Sequence, residues 1–207
     1  MKDFVHLHVH SHYSLLEGLA KVPDLVKAAK KRGFSALALT DHGNMYGAIE
    51  FYQECEKNGL KPIIGTEVYL APKSHLDKDE HENYSRLVLL AIDNTGYHNL
   101  IALTSIAQTA GFHLKPRIDK ELLKKYHSGI VALSGGFDGE IVVALRKENN
   151  LAKAKKLALE YREIFGEDNF YLELMDLPAR EGQTELNSSL IALGQETGVP
   201  LVVTRDV

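Results

Sequence analysis

Cysteine is nearly absent from this 207-residue sequence, which contains only Cys55. A single cysteine excludes an internal disulfide framework and favours a reducing compartment, so the cytoplasm is the expected location. No apolar run approaches the length of a membrane span, and the first residues lack a long apolar secretory segment. Excess positive charge is also missing, since 24 Lys and Arg stand against 28 Asp and Glu. The sequence therefore predicts neither membrane association nor a basic nucleic-acid platform.

Histidine, by contrast, is plentiful, and four of the ten residues, His6, His8, His10 and His12, fall within seven positions. The hydrophobic share of 44% and the charged share of 25% are ordinary for a folded soluble protein. The length suffices for a full hydrophobic core, so we expect a single domain over residues 1–207. Glycine-rich phosphate-binding motifs and the nucleophile elbow are both missing from the sequence.

Strand-like and helix-like segments alternate along the chain. Apolar runs predict seven strands, at 4–9, 35–40, 62–70, 86–92, 129–134, 170–175 and 199–204. Apolar stripes with start and stop signals predict six helices, at 22–32, 46–57, 97–109, 139–148, 151–165 and 185–197. The polar stretch 71–84 is predicted to be an exposed loop, and Cys55 a small core residue. This order predicts a mainly parallel α/β domain, either an open doubly wound sheet or a βα barrel.

Functional groups in parallel α/β folds gather at the carboxyl ends of the strands. The polar residues expected there are His8, His10, His12, Glu17, Asp41, His42, Glu67, Ser134, Asp138 and Asp206. Imidazole nitrogens and carboxylate oxygens suit Zn²⁺, Mn²⁺ and iron. The sequence therefore predicts a metal site at this edge of the sheet.

The first predicted strand alternates histidine with apolar residues, which would place His6, His8 and His10 on one side and Val5, Leu7 and Val9 on the other. Because crowded neutral imidazoles are stabilised by a shared cation, we interpret His8 and His10 as ligands rather than as hydrogen-bonded core histidines. His6 and His12 are interpreted as supporting or solvated residues. The remaining histidines are expected to be solvated: His75, His81, His98, His113 and His127.

Candidate site residues also follow the second predicted strand and lie within the third. Asp41 either orients the His42 imidazole or caps a helix beside a surface histidine, and this segment alone does not decide between them. Glu67 lies inside an otherwise apolar strand, where an unpaired carboxylate is costly, so we favour metal binding over an internal ion pair.

These motifs resemble the PHP (polymerase and histidinol phosphatase) domain, through FVHLHVHS at 4–11 with YSLLEG at 13–18, TDHGNMYG at 40–47 and IGTEVY at 64–69. Later blocks, at 87–100, 115–119, 131–141 and 202–207, are similar to the version at the N-terminus of bacterial DNA polymerase III alpha subunits. The resemblance covers essentially the whole chain. It implies a distorted, TIM-barrel-like βα barrel of seven strands that binds up to three divalent ions of zinc, manganese or magnesium.

By position, the resemblance implies six metal ligands, His8, His10, Glu17, His42, Glu67 and Asp206, with Asp41 orienting His42. Arg86 stands where many members have histidine, Gly136 stands where they have cysteine or histidine, and a last histidine ligand would follow Val207. The resemblance therefore implies an incomplete cluster. Arg86 would bring a fixed positive charge to one metal position, or would instead stabilise phosphate charge.

Three functions are compatible with this resemblance. The first is a metal-dependent phosphoesterase acting on a DNA 3′ end as a 3′–5′ exonuclease. The second is a non-catalytic module that supports the polymerase and docks a proofreading or other replisome subunit. The third, a small-molecule phosphatase of the histidinol phosphatase type, is disfavoured by the polymerase-type blocks. DNA-directed DNA polymerase activity would reside in the rest of the alpha subunit.

Overall fold

The computed structural model describes residues 4–78, 84–175 and 182–207. Helices in these ranges are α1 (Val22–Lys31), α2 (Ala48–Asn58), α3 (Asn94–Thr109), α4 (Lys120–Tyr126), α5 (Glu140–Arg146), α6 (Leu151–Phe165) and α7 (Gln183–Thr197). Strands are β1 (Ala36–Leu39), β2 (Lys61–Leu70), β3 (Ser85–Ala91), β4 (Phe112–His113), β5 (Lys115–Ile118), β6 (Ile130–Leu133), β7 (Phe170–Met175) and β8 (Leu201–Thr204). Six of the seven predicted strands and all six predicted helices therefore exist, with small shifts at their ends.

The strands form one curled mixed sheet in the order β4-β5-β2-β3-β6-β7-β8, with β1 paired to β2. The long strand β2 holds two neighbours on one edge, because β1 pairs parallel with its first half and β5 with its last residues. Strands β6, β7 and β8 continue the sheet in parallel pairs. The curled sheet with its helices agrees with the distorted βα barrel and excludes the open doubly wound alternative.

Strand β3 departs from the mainly parallel prediction. It pairs antiparallel with both β2 and β6, so its first residues, rather than its last, lie at the edge where the parallel strands end. The connection from β2 to β3 contains no helix among the residues described, as the predicted loop at 71–84 anticipated, and a strand that returns without a crossover must run antiparallel.

The amino-terminal segment that was predicted to be the first strand is extended but is not a regular strand. On one side the His6 carbonyl accepts a hydrogen bond from Ala38 N on β1. On the other side His10 N donates to the Val207 carbonyl at 2.8 Å, just past β8. The segment thus bridges the two ends of the curled sheet and closes the barrel.

The predicted side alternation in this segment is wrong for Leu7. Val9 packs beneath α1 and α2 as expected, whereas Leu7 packs inside the barrel against Val88 and Leu133. The backbone bends at His8, and the bend breaks the period of two. A regular strand would have placed both apolar side chains on one face.

The largest apolar cluster lies between the outer face of the sheet and α3, α5, α6 and α7, and a smaller one fills the space under α1 and α2. Cys55 belongs to the smaller cluster and is fully buried, and burial raises its thiol pKa to about 12. The prediction of a small core residue is therefore confirmed. None of the helices in the described ranges is both long and apolar enough to cross a bilayer.

The loop after β2 corrects one prediction about histidine. His75 is not solvated: its backbone N donates to Asp119 Oδ2 at 2.9 Å, and its Nδ1 lies 2.5 Å from the same oxygen. The Asp119 carboxylate also caps α4 by accepting from Leu122 N. His81, for which solvation was also predicted, lies outside the described residues.

Candidate metal centre

His8 occupies the deepest position of the site. The side chain is fully enclosed, with Nδ1 2.8 Å from Glu173 Oε1 and Nε2 3.3 Å from Glu67 Oε1. Glu67 lies on β2 and Glu173 on β7, so carboxylates from two strands flank one imidazole. This juxtaposition follows from barrel closure, which brings the amino-terminal segment between the strand ends.

His10 and His42 stack beside His8, with their ring centroids 3.9 Å apart. His10 Nε2 lies 3.3 Å from Asp206 Oδ1, and its Nδ1 faces Ser14 Oγ at 3.4 Å. An isolated parallel bridge between His42 and Glu67 continues the β1–β2 pairing as far as the site. Backbone pairing therefore fixes both residues beside the amino-terminal histidines.

Residues His8, His10 and Glu67 form a group whose possible ligand atoms all lie within 4.8 Å of one another, and all three are buried. His8 Nε2, His10 Nε2 and His42 Nδ1 are buried and lack a hydrogen-bond partner of acceptable geometry in the described chain. Unpartnered imidazole nitrogens facing carboxylates are the donor set that a divalent cation satisfies. The residues present therefore fit a metal ion at His8, His10 and Glu67, with Asp206 at the rim.

The protonation of this cluster reflects its crowding. Burial alone would lower the pKa of His8, but Glu173 and Glu67 hold it well above its usual range. Burial alone would raise the pKa of Glu67, but the neighbouring His42 and His8 rings keep it well below its usual range. Without a metal, protons supply the positive charge among these carboxylates, and a metal ion would have to displace them.

Arg86, at the start of β3, reaches the same cluster because that strand runs antiparallel. Its NH1 lies 3.4 Å from Glu67 Oε2 and its NH2 lies 3.4 Å from Glu17 Oε2, while Nε faces Asp138 at 3.8 Å. Its guanidinium thus joins carboxylates from three segments. A permanent charge here competes directly with a second metal ion for Glu17 and Glu67.

The outer candidates Glu17 and His42 contact each other, with Glu17 Oε2 2.9 Å from His42 Nε2. Glu17 is partly exposed and also binds Arg86. These two residues do not belong to the compact group around His8. His42 also contacts Glu67 through Nδ1 and so links this inner group to Glu17, whose charge Arg86 already compensates.

Gly136 stands where the resemblance implies a cysteine or histidine ligand. It lies in a single 3₁₀ turn with φ +54°. A Cβ atom at this position would lie 2.4 Å from Met175 Cε and 3.1 Å from its sulfur. The space that a cysteine or histidine side chain would need is therefore filled by Met175. This position supplies no ligand, and the surrounding chain has packed into the gap.

The Asp41 carboxylate does not contact the His42 ring, contrary to the predicted orienting role. It accepts hydrogen bonds from Ser11 N at 2.7 Å, Ser11 Oγ at 2.8 Å and Ser14 Oγ at 2.6 Å. Ser14 Oγ in turn accepts from His42 N at 3.1 Å. Asp41 therefore anchors the loop that follows the amino-terminal histidines, and it reaches His42 only through the serine and the backbone.

This anchored loop presents three leucines to solvent, Leu15, Leu16 and Leu19, the last two almost fully exposed. Leu16 adopts φ +71°, which is unfavourable for a branched side chain. A cavity of about 400 Å³ opens between this loop and the end of β8, lined in part by His10, Glu17 and Asp206. The cavity gives the metal centre its access to solvent.

The two flanking histidines of the amino-terminal run lie outside the centre. The ring of His6 contacts Phe4 and Phe34 edge to face, with centroids 4.8 and 5.3 Å away, and burial lowers its pKa. His12 packs against the ring of Tyr13. Neither residue belongs to the compact group of His8, His10 and Glu67.

Glu173 is the residue that the sequence interpretation missed. It is a lone carboxylate between Leu172 and Leu174 on a buried strand, which is the same signal that singled out Glu67. A lone carboxylate within an apolar strand is therefore a signal that identifies both Glu67 on β2 and Glu173 on β7.

The model of the PHP domain family matches residues 6–177 of this chain. The chain belongs to the PHP domain family. The match includes both histidines of the inner metal group and Glu67, and it agrees with the family that the motifs implied.

Several curated proteins are similar to this PHP domain over nearly its whole length. The DNA polymerase III subunit alpha of Treponema pallidum is 44% identical over 99% of the chain, and that of Deinococcus radiodurans is 43% identical over 99%. The chain spans only 18% and 16% of these relatives. The PHP domain thus corresponds to less than a fifth of their length.

Solved structures with a similar fold share little sequence with it. An amidohydrolase from Chromobacterium violaceum, with bound sulfate and no metal, gives a TM-score of 0.62 at 14% identity, covering 98% of this chain and 86% of its own. A Bifidobacterium adolescentis protein assigned to the metal-dependent phosphoesterases gives 0.59 at 15% identity, covering 100% and 88%. These similarities support the distorted barrel fold.

Proposed function

We propose that the chain is the PHP module of a bacterial DNA polymerase III alpha subunit and that it binds a single divalent cation for stability rather than for nuclease chemistry. Identities of 37–44% to such subunits over almost the whole chain support the parent assignment. DNA-directed DNA polymerase activity would then belong to the remainder of the subunit. The partners of the module would be that remainder and other replisome subunits, including a proofreading subunit.

The position of Arg86 carries the non-catalytic part of this proposal. Its guanidinium lies between Glu17 and Glu67, two of the carboxylates that a second cation would need. Metal-dependent phosphodiester cleavage commonly uses two ions a few ångströms apart to stabilise the attacking and leaving oxygens. A fixed arginine can compensate carboxylate charge, but it cannot lower the pKa of a water molecule as a metal does.

The inner group supplies the cation site. His8, His10 and Glu67 would hold the ion, with the Asp206 carboxylate as a fourth ligand at the rim. Two imidazoles with carboxylates favour Zn²⁺ or Mn²⁺ over Mg²⁺, which prefers oxygen ligands. A bound ion would act as a Lewis acid and would neutralise the buried carboxylate charge.

The decisive experiment is metal stoichiometry measured together with nuclease activity. We expect one Zn²⁺ or Mn²⁺ per chain by elemental analysis, and no shortening of a 3′-labelled oligonucleotide. The matched variant Arg86→His should raise the stoichiometry. Two or three ions in the unmodified chain, with degradation of the oligonucleotide, would overturn the proposal.

A 3′–5′ exonuclease is the second candidate, and the solvent-open cavity beside His10 and Asp206 favours it. In that case a DNA 3′ end would enter the cavity, and Arg86 would contact phosphate. Because Met175 lies against Gly136, the variant that restores both ligands, Arg86→His with Gly136→Cys, also carries Met175→Ala to make room. Activity in the unmodified chain that equals activity in this triple variant would favour the exonuclease. Turnover of a small phosphomonoester would instead indicate a phosphatase.

A further inference from the structure

We infer that Glu173 positions His8 for metal binding, by holding the imidazole proton on Nδ1 and leaving Nε2 to face the cation. The inference deepens the proposed metal site and rests on it. Glu173 was neither predicted from the sequence nor implied by the resemblance. It contacts Nδ1 of His8, whereas Glu67 faces Nε2 of the same ring.

The location of Glu173 is fixed from several directions. It is only 1% exposed, and its backbone N donates to Ser134 Oγ at 2.9 Å. Its Oε1 accepts from Thr204 Oγ1 at 2.6 Å and lies 2.8 Å from His8 Nδ1. Contacts from β8 and from the end of β6 therefore hold the carboxylate in place against the ring.

The chemistry of the two groups decides which nitrogen carries the proton. An ionised carboxylate can only accept a hydrogen bond, so the His8 nitrogen that faces Glu173 must donate. Nε2 lies on the opposite side of the ring, 3.3 Å from Glu67 Oε1, and has no hydrogen-bond partner of its own. A carboxylate behind a ligand imidazole fixes the tautomer, orients the ring and raises the basicity of the metal-binding nitrogen.

The charge around Glu173 distinguishes a role in orienting His8 from a purely structural role in connecting β6, β7 and β8. Among the described residues, no lysine or arginine forms an ion pair with Glu173, and its Oε2 has no hydrogen-bond partner. A buried carboxylate without a cation is strongly destabilising. The compensating charge must therefore come through His8, either as a protonated ring or as a ring bound to metal.

The test compares zinc affinity in the wild-type chain, Glu173→Gln and Asp119→Asn by isothermal titration calorimetry. Glutamine keeps the shape but removes the charge, so we expect zinc to bind about 10–100-fold more weakly. Asp119→Asn makes the same carboxylate-to-amide change at another buried carboxylate that faces a histidine, His75, away from the metal site, so zinc affinity should change much less. Urea denaturation with a chelator present measures how much each variant loses in stability alone.

Long-range ¹H–¹⁵N NMR of zinc-loaded wild-type protein shows which His8 nitrogen carries the proton. This result does not depend on whether any variant folds. We expect the His8 proton on Nδ1 and zinc on Nε2, and zinc on Nδ1 would overturn the inference. Equal zinc affinity in Glu173→Gln and wild type, or an equal loss in both variants, would overturn it while leaving the metal site intact. Absence of zinc binding in the wild type would overturn the proposed function and this inference together.

Discussion

Asp41 shows how a single buried carboxylate can organise a site without touching a ligand ring. It is 1% exposed and accepts three hydrogen bonds from Ser11 and Ser14. These bonds hold the loop that carries Glu17 and forms one wall of the cavity. The carboxylate therefore influences the metal centre through backbone geometry.

Replacement of Asp41 by alanine should lower the free energy of unfolding by about 3 kcal/mol, because hydrogen bonds to a charged group are lost and buried donors lose their acceptor. Urea denaturation measures this loss, and limited proteolysis should detect a looser loop at Leu15 and Leu16. Ser11→Ala is the matched control, since Asp41 then keeps its bonds to Ser11 N and Ser14. An equal loss in the control would contradict the anchoring role.

Gly136→Ala should destabilise the chain by about 1–3 kcal/mol, because φ is positive and the new Cβ meets Met175. Gly33→Ala is the matched control, since Gly33 also has positive φ but its Cβ would meet no atom within 4 Å. Thermal denaturation of both variants isolates the packing contribution. An equal loss of stability in the two variants would show that the Met175 side chain moves aside at little cost. Position 136 could then accept a ligand side chain without further change.

The residues that could be predicted from the sequence are those whose type conflicts with their surroundings. His8 and His10 in a short extended segment, and Glu67 in an apolar strand, were identified this way, and the structure places them together. Glu173 has the same signature and was overlooked. The actual partners of Asp41 could not be predicted, because a carboxylate after a strand is compatible with many contacts that only the folded loop defines.

At the scale of elements, hydrophobic periodicity located the segments well but not their direction. A buried antiparallel strand and a buried parallel strand have the same continuous apolar pattern, so the reversal of β3 could not be inferred from its residues. The short hairpin of β4 and β5 and the seven-residue helix α4 were also missed, because such short elements carry little periodic signal. The reversal of β3 matters most, since it places Arg86 in the site.

The junction of α4 with the loop after β2 should make stability depend on acid. Burial alone would raise the pKa of Asp119, but hydrogen bonds from the His75 ring and backbone hold it below its usual range. Its stabilising contribution is therefore present above the carboxyl pKa of the unfolded chain, about 3.9, and is lost as the pH falls through the lower folded value.

The stability difference between wild type and Asp119→Asn should accordingly shrink as the pH falls from about 5 to about 3. Urea denaturation at a series of pH values, with a chelator present, measures this difference. Asp93→Asn is the control, because Asp93 caps α3 through Gly96 N and contacts no histidine. A difference for Asp119→Asn that stays constant over this range would contradict the assignment.

At the scale of the whole molecule, the proposed cation should stabilise the fold because it binds a site that only the closed barrel creates. At a free metal concentration 100-fold above the dissociation constant, the gain is about 2.7 kcal/mol. For a chain of this size that corresponds to a rise in melting temperature of about 5–10 °C. His8→Ala should abolish the rise, whereas His98→Ala, an exposed histidine on α3, should keep it.

Differential scanning fluorimetry with Zn²⁺ or Mn²⁺ and with a chelator makes this comparison directly. A rise of the same size in the His8→Ala variant would show that the ion binds elsewhere. An effect lost equally in both variants would indicate nonspecific coordination by surface histidines.

The closure of the barrel by its own first residues also sets an order of events during synthesis. The backbone bond from His10 to Val207, and the contact between His10 and Asp206, join positions almost 200 residues apart. These contacts cannot form until the ribosome has released the end of this region. The contacts of His10 with these last residues must therefore form after the rest of the sheet has been synthesised. Such long-range closure slows folding, and the proposed cation would bind the complete site only after it.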